Sequence, residues 1–382
     1  MKSPVRLKGI YGDTNNAMRR YGGGDAIRTE TAVMRALRWL KHQQDPDGSW
    51  GKNRIAMTAL AVLTFLTHGE RLGDSMEFDP TVQKALEYLL SRQKQDGRFE
   101  GEDDNGYSHP IATYALCEAY DMTLNPNLKA AAEKALVPII KGQNPTGGWT
   151  YNMDPTPGED GSYRNDTSYM GWCAQALKTA KLANLNVEGL DKALKLAVRG
   201  FKSNEDPDGG FGYTGSGTDG VTAVGAYCLM ILGAADSREA KLALDLMKPW
   251  LPSLGDTLPG INGRNDNPQY YCYYASRCKY HARYNKGEWR TWASEMATLY
   301  VNEQKVIKNA IKDTHGRNCD IGWWENKDTS SDRPVMDTCL AAQQLMVFYS
   351  YRRQLPSPAI IEERADISTI TDTEDIKIHA DL

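Results

Sequence analysis

Apolar residues along this chain fall into paired segments with different patterning. In the first member of each pair they recur every three or four positions among charges, as in Ala36-Leu37-Arg38-Trp39-Leu40-Lys41, the signature of a helix with one buried face. In the second member charge becomes sparse: Ile55–Thr67, Pro110–Tyr120, Thr167–Leu182, Val221–Leu232, Pro268–Ala282 and Met336–Tyr351. A helix that is apolar on nearly every side has to be enclosed. The pattern therefore predicts charged outer helices alternating with buried inner ones.

The pairs are also repeats. Ala36–Trp50, Ala85–Phe99 and Ala135–Trp149 align with one another, each ending in Q-x-x-x-G-x-aromatic, and Gly48, Gly97 and Gly147 recur at spacings of 49 and 50. A fourth copy ends at Glu205-Asp206-Pro207-Asp208-Gly209-Gly210-Phe211, and a looser one joins Gln304 to Gly322-Trp323-Trp324 after a long insertion; an outer helix near Ser237–Trp250 lacks the signature. Asp45-Pro46-Asp47-Gly48 puts Asp, Pro and Gly where a type I turn needs them, so each signature ends a helix and reverses the chain. Small residues at Ala59, Ala115, Gly171, Gly225, Ala275 and Ala341 let inner backbones approach closely. The expectation is an all-α, α/α toroid of about six helical hairpins over residues 25–355, with an N-terminal arm at 1–24 and a polar, acidic tail at 356–382. An open superhelix is the alternative architecture.

These signatures resemble the QW repeat of the prenyltransferase and squalene-cyclase repeat superfamily. The stretches from Gly147-Gly148-Trp149 to Asp166-Thr167-Ser168-Tyr169, Gly209-Gly210-Phe211-Gly212-Tyr213, and Gln269-Tyr270-Tyr271-Cys272-Tyr273-Tyr274 are similar to bacterial prenyltransferase/squalene oxidase repeat proteins. The resemblance covers roughly residues 31–355. It implies a toroid in which the Gln and the aromatic tie the end of one outer helix to its neighbour, and it speaks to fold more than to activity.

In such a ring all outer-to-inner connections emerge at one rim. Those connections carry the long insertions, Thr150–Asn165, Tyr213–Thr218, Pro252–Asn267 and Ala310–Val335, which marks that rim as the working face. It also gathers the N-termini of the inner helices, near Asp166, Asp219, Asp266 and Asp337. These carboxylates read either as helix caps or as the polar lining of a pocket. Tyr163, Arg164, Tyr169, Trp172, Arg264, Tyr270, Tyr271, Tyr273, Tyr274, Trp323, Trp324 and Arg333 complete the candidate ligand-binding set, with Asp337 and Asp166 as candidate acids if the chain is an enzyme. The chain has 20 Tyr and 9 Trp against 6 Phe, a usage that suits a lined cavity because Tyr and Trp carry both apolar faces and polar tips.

Charge narrows the function classes. With 45 Lys and Arg against 49 Asp and Glu, the net charge of −4 provides no field for nucleic acid. Ile55–Leu66 is too short an apolar run to span a bilayer. Seven cysteines without a C-x-x-C pair point to a reducing compartment rather than a disulfide framework, so the expectation is a soluble, cytoplasmic protein, with an exported form after removal of a leader as the alternative. Cyclases of the resembled superfamily use a D-x-D-D acid motif, which is absent. Prenyltransferase β subunits bind zinc through Asp-x-Cys and a histidine; Asp337-Thr338-Cys339 matches the first part only, leaving His109 or His281 to supply nitrogen, so the expectation is no cofactor, with zinc as the alternative. Arg164, Arg264 and Arg333 keep a polyanion-binding or lyase-type toroid open, whereas the G-C-G-E-Q stretch of thioester domains is missing. The resulting expectation is a protein that binds a small hydrophobic or polyanionic ligand, or a protein partner, at the rim of a central cavity, with isoprenoid cyclase or transferase activity as the alternative.

Overall fold

The structure, a computed structural model, describes residues 26–347 apart from 71, 74, 102–105, 219, 256–266, 283–285 and 326–331. The expected arm and tail lie outside the described residues. Twelve helices occur among the described residues: α1 Ala26–His42, α2 Arg54–His68, α3 Asp79–Arg92, α4 Ser108–Thr123, α5 Pro126–Lys141, α6 Thr167–Leu182, α7 Leu190–Lys202, α8 Thr222–Ile231, α9 Arg238–Leu246, α10 Pro268–His281, α11 Lys286–Glu303 and α12 Arg333–Leu345. The even-numbered helices form the inner layer. In α2 every residue from Ile55 to Thr67 is buried, whereas outer α7 buries only Leu190, Ala193, Ala197, Gly200 and Phe201, as the two hydrophobic patterns require.

Each inner helix packs on the next, and α12 packs back on α2. That contact closes the ring and excludes the open superhelix. The repeat signature shows how. Gln44 Nε2 donates to Gly48 O in its own turn (3.0 Å) and to Thr81 O on α3 (2.9 Å). Gln93 reaches Ala131 O on α5 (2.9 Å), Gln143 reaches Ala193 O on α7 (3.1 Å), and Gln304 completes the circle at Ala32 O on α1 (2.8 Å). In the fourth copy Glu205 stands in the Gln place and pairs with Arg238 of α9 instead (3.1 Å). The aromatic does a different job from the one the resemblance implied: Trp50, Trp149 and Trp324 donate Nε1 to Leu40, Ile139 and Tyr300 carbonyls of their own outer helices (2.7, 2.7 and 2.8 Å). Glutamine links neighbours; tryptophan seals its own hairpin.

Three expectations need correction. The insertion Ala310–Val335 is not purely loop: β1 (Lys305–Lys312) pairs antiparallel with β2 (Asn318–Trp323), so the chain is mainly but not wholly α. β-Branched Val306, Ile307 and Ile311 favour strand, and Gly316 at φ +77 turns the hairpin. The last inner helix begins at Arg333, with Pro334 in its first turn, and its expected extension through 348–351 lies outside the described residues. Asp337 is therefore interior to α12 rather than a cap.

At the other rim, His68 clamps α1 to α2. Its Nε2 meets Glu30 at 3.1 Å and its Nδ1 meets Glu70 at 2.8 Å. Burial opposes protonation of this ring, but the two carboxylates outweigh it and lift the pKa to about 9. A histidine raised from its ordinary 6.5 contributes fully below pH 6.5, and its contribution disappears as pH rises through 9. The stability gap between wild type and His68→Gln should accordingly shrink by about 2–3 kcal/mol from pH 6 to pH 9.5 in urea unfolding.

The turn glycines have two reasons to be glycine. Gly147 has φ +104, and a Cβ there would lie 2.0 Å from Leu196 O on the next outer helix, whereas Gly316 has φ +77 with nothing within 4 Å. Gly316→Ala should cost about 1 kcal/mol from backbone strain alone, and Gly147→Ala about 3 kcal/mol because the hairpins must also separate. Equal losses in chemical denaturation would count against this reading of the turn.

Candidate functional site at the elaborated rim

The long connections all precede inner helices, and the α5–α6 and α7–α8 connections meet at the start of α6. Asp166 caps that helix: Oδ1 accepts from the Tyr169 N–H (3.0 Å) and from Ser168 Oγ (2.7 Å). Its N-cap role follows from a short acceptor side chain on extended backbone. The residue is completely buried, yet Oδ2 has no donor at full hydrogen-bond geometry, and the Arg164 guanidinium lies 3.8 Å away.

A chain of hydroxyls runs from this carboxylate to solvent. Ser168 Oγ meets Tyr107 OH at 2.6 Å, Tyr107 OH meets Tyr151 OH at 3.0 Å, and Tyr151 OH contacts Tyr213 OH. Tyr213 is 40% exposed, which makes it the outer end of the chain. Burial, the Tyr151 hydroxyl and the Asp166 carboxylate all make the Tyr213 phenol harder to ionise, so at neutral pH it is a hydrogen-bond donor and acceptor rather than an anion. Tyr169 packs its ring on Tyr107 and Tyr151 (5.8 and 5.4 Å), and Tyr270 of α10 donates to Ser168 O (2.8 Å). The cluster can hold a ligand's hydrogen-bonding group and pass a proton along its length.

The remaining sequence candidates divide. Trp172, Tyr270, Tyr273 and Tyr274 form an aromatic wall across the lumen, with Trp172 stacked on Tyr273 (5.6 Å, 30°). Gln175 braces it, donating to Tyr274 OH (2.9 Å) and accepting from Tyr273 OH (3.1 Å). Gly171 makes room, since a Cβ there would lie 2.8 Å from Tyr274 Oη. Tyr271 turns the other way, against Trp250 and Trp292; its expected place in the site is corrected to packing between layers, because neighbours on a helix point about 100° apart. Trp324 is likewise fully engaged as a hairpin seal. Trp323 stacks on Trp39 (5.9 Å, 16°) and lines a shallow groove of about 590 Å³ between α1 and the β-hairpin. Tyr163 is partly buried and Arg164 exposed in the α5–α6 connection. Asp219, Arg264 and Asp266 lie outside the described residues.

Asp337 is buried beside Arg333 at 3.9 Å, and Arg333 donates to Asn267 Oδ1 (2.6 Å). Because α6 and α12 stand three places apart in a ring of six inner helices, Asp166 and Asp337 face different sectors and are not brought together. The Cys339 thiol is pushed up to about 12 by burial, against a smaller opposing hydrogen bond from Thr64. His109 Nδ1 accepts the Phe99 N–H (3.1 Å), the place taken by Thr58, Thr222 and Thr338 in other repeats, and burial lowers its pKa to about 4. His281 packs on Tyr227. Among the described residues no group of three His, Cys, Asp or Glu is placed to hold a metal ion.

Sequence reading missed Tyr107, Tyr151, Ser168 and Gln175. They come from the residue before α4, the α5–α6 connection and α6, and no local spacing announces their convergence. Ser168→Ala should cost about 1 kcal/mol, since it takes one of two hydrogen bonds from each of Tyr107 OH and Asp166 Oδ1, whereas Tyr213→Phe at the open end should cost less than about 0.5 kcal/mol. Urea unfolding of the two variants checks the difference.

Comparison with known proteins agrees with this architecture. The model for the prenyltransferase alpha-alpha toroid domain matches residues 24–153 and 57–320. A squalene–hopene cyclase of Zymomonas mobilis is 25% identical over 203 residues, 47% of this chain and 30% of its own. A lanosterol synthase of Aspergillus fumigatus is 28% identical over 134 residues, 32% of this chain and 18% of its own. The chain thus spans less than a third of the length of these curated relatives. Among solved structures, a type II terpene cyclase from Scytonema bound to merosterolic acid A has a TM-score of 0.52 at 14% identity, covering 85% of this chain and 97% of that one. An α-1,6-mannanase of Salegentibacter in complex with α-1,6-mannotriose has a TM-score of 0.54 at 12% identity, covering 85% and 99%. At such identities the structural likeness is one of fold alone.

Proposed function

Because this chain belongs to the prenyltransferase alpha-alpha toroid family, we propose that it is a ligand-binding toroid of terpene-cyclase type, which receives the hydroxyl-bearing end of its ligand at the rim between Tyr213 and Asp166. The observation that carries this reading is Asp166 Oδ2, a buried carboxylate oxygen with no donor at full hydrogen-bond geometry, approached from the open side by the Tyr213 phenol and the Arg164 guanidinium. Leaving such an acceptor unmet costs about 1–3 kcal/mol. A ligand hydroxyl would meet it, while the half-buried Tyr107 and Tyr151 rings, backed by the buried Tyr169, offer flat apolar faces to the rest of the molecule.

Binding is favoured over turnover for a chemical reason. Protonating an alkene needs a carboxylic acid kept neutral by neighbouring carboxylates, and no D-x-D-D run exists in the sequence. Hydrolysing a glycoside ordinarily takes two carboxyl groups about 5–9.5 Å apart, whereas the charged group found beside Asp166 is Arg164, a cation. The names of the curated relatives favour an isoprenoid ligand. A second reading, an oligosaccharide in the same place, is favoured by the hydroxyls of Tyr151 and Tyr213 at the open end.

Titration of tryptophan fluorescence with farnesol and with α-1,6-mannotriose tests both readings. Farnesol should bind without being converted, and Asp166→Asn should weaken it at least tenfold, about 1.4 kcal/mol. Saturable binding of mannotriose in place of farnesol would move the assignment to the second reading. Binding of either that is indifferent to Asp166→Asn would remove this cluster as the site.

A further inference from the structure

Beyond the aromatic wall lies a buried arginine that makes no direct ion pair among the described residues. Arg277 of α10 is 4% exposed. Its Nη2 donates to Gln343 Oε1 (3.1 Å), and Gln343 is held in turn by Nε2 donating to Thr64 Oγ1 (3.1 Å). The guanidinium sits over the Tyr273 ring, 4.2 Å from its centroid. Its Nε has no hydrogen-bond partner, and among the described residues it forms no ion pair. Glu118 of α4 accepts from Thr179 Oγ1 (3.3 Å) and acts electrostatically on Tyr114, Tyr227 and Tyr273.

The guanidinium faces side chains of other inner helices. Gln343 comes from α12, and the guanidinium acts electrostatically on Tyr114 of α4 and Tyr227 of α8 as well as Tyr273 of its own helix. Four of the inner helices thus face one charge, which can happen only in the lumen. Burial makes the Tyr114 and Tyr227 phenols harder to ionise, so both are neutral hydroxyls at physiological pH. An arginine so enclosed stays protonated, and an uncompensated charge in a water-poor interior is unfavourable unless something anionic meets it. Cation–π contact with Tyr273 offsets part of that cost but leaves Nε unmatched.

We infer that the lumen holds a second site, separate from the rim cluster, for the carboxylate of an amphipathic acid, with Arg277 as its cation and Tyr114 and Tyr227 as neutral donors. A planar carboxylate matches the guanidinium fork. One guanidinium and two phenols suit its single charge better than the double charge of phosphate, and the surrounding rings suit an apolar body.

The test uses the full chain and three probes in isothermal titration calorimetry: 4-phenylbutyrate, its neutral amide 4-phenylbutanamide, and inorganic phosphate. The acid should bind at least tenfold more tightly than the amide, and phosphate more weakly than the acid. Arg277→Met should abolish the preference for acid over amide without lowering the melting temperature of the unliganded protein, because it removes an unmatched charge. Gln343→Leu, which keeps the charge but frees its orientation, should weaken the acid several-fold. The inference is overturned if wild type binds acid and amide equally or binds neither at millimolar concentration. It is overturned equally if phosphate binds more tightly than the acid, or if Arg277→Met retains the preference.

Discussion

A glutamine amide that leaves its own turn and donates to the backbone of the next outer helix fixes the angle between successive hairpins. Gln44, Gln93, Gln143 and Gln304 do this at four joints, and the last reaches back to α1, so the same small rotation repeated around the chain closes on itself. The turn glycines permit it. At Gly48 and Gly97 the backbone approaches Lys84 O and Lys134 O on the following helix so closely that a Cβ would fall 2.4 and 2.3 Å away. Backbone contact at that range transmits orientation far more stiffly than contact between flexible side chains.

Closure has two consequences for chemistry. It puts every outer-to-inner connection at one rim, where the α5–α6 and α7–α8 segments can build a shared cluster around Asp166. It also forces the inner helices to divide a narrow lumen among their side chains. Here α8 is poor in bulk, with Ala223, Gly225 and Ala226, and tyrosines of α10 extend past it to Trp172 on α6. The lumen is thereby partitioned: a hydroxyl-lined mouth on one side of the wall, and an arginine among phenols within.

Within that frame buried polar groups carry information that apolar packing does not. His109 fills a place held by threonine in sister repeats, and its Nδ1 accepts the same backbone N–H that those threonines accept. Asp166 Oδ2 and Arg277 Nε have no such account within the chain. Of opposite charge and on different faces of the wall, they call for different partners, a donor at the rim and an anion in the lumen.

The sequence by itself determined the repeat of paired outer and inner helices. Helix period, the Gln–Gly–aromatic spacing and the charge contrast between paired segments are local properties repeated at about 50 residues, whereas closure over an open superhelix was decided by the packing of α12 on α2. The sequence also offered Asp166 as a cap of α6, one of two readings, because a cap depends on its immediate neighbours; the structure shows the cap. Only the tertiary structure decided which of Tyr270, Tyr271, Tyr273 and Tyr274 faces the lumen, that Tyr107 and Tyr151 join Ser168, and that Asp166 and Asp337 stand apart. Those outcomes depend on the rotation of each helix about its own axis, set by packing between segments distant in the chain, and no short-range pattern encodes it.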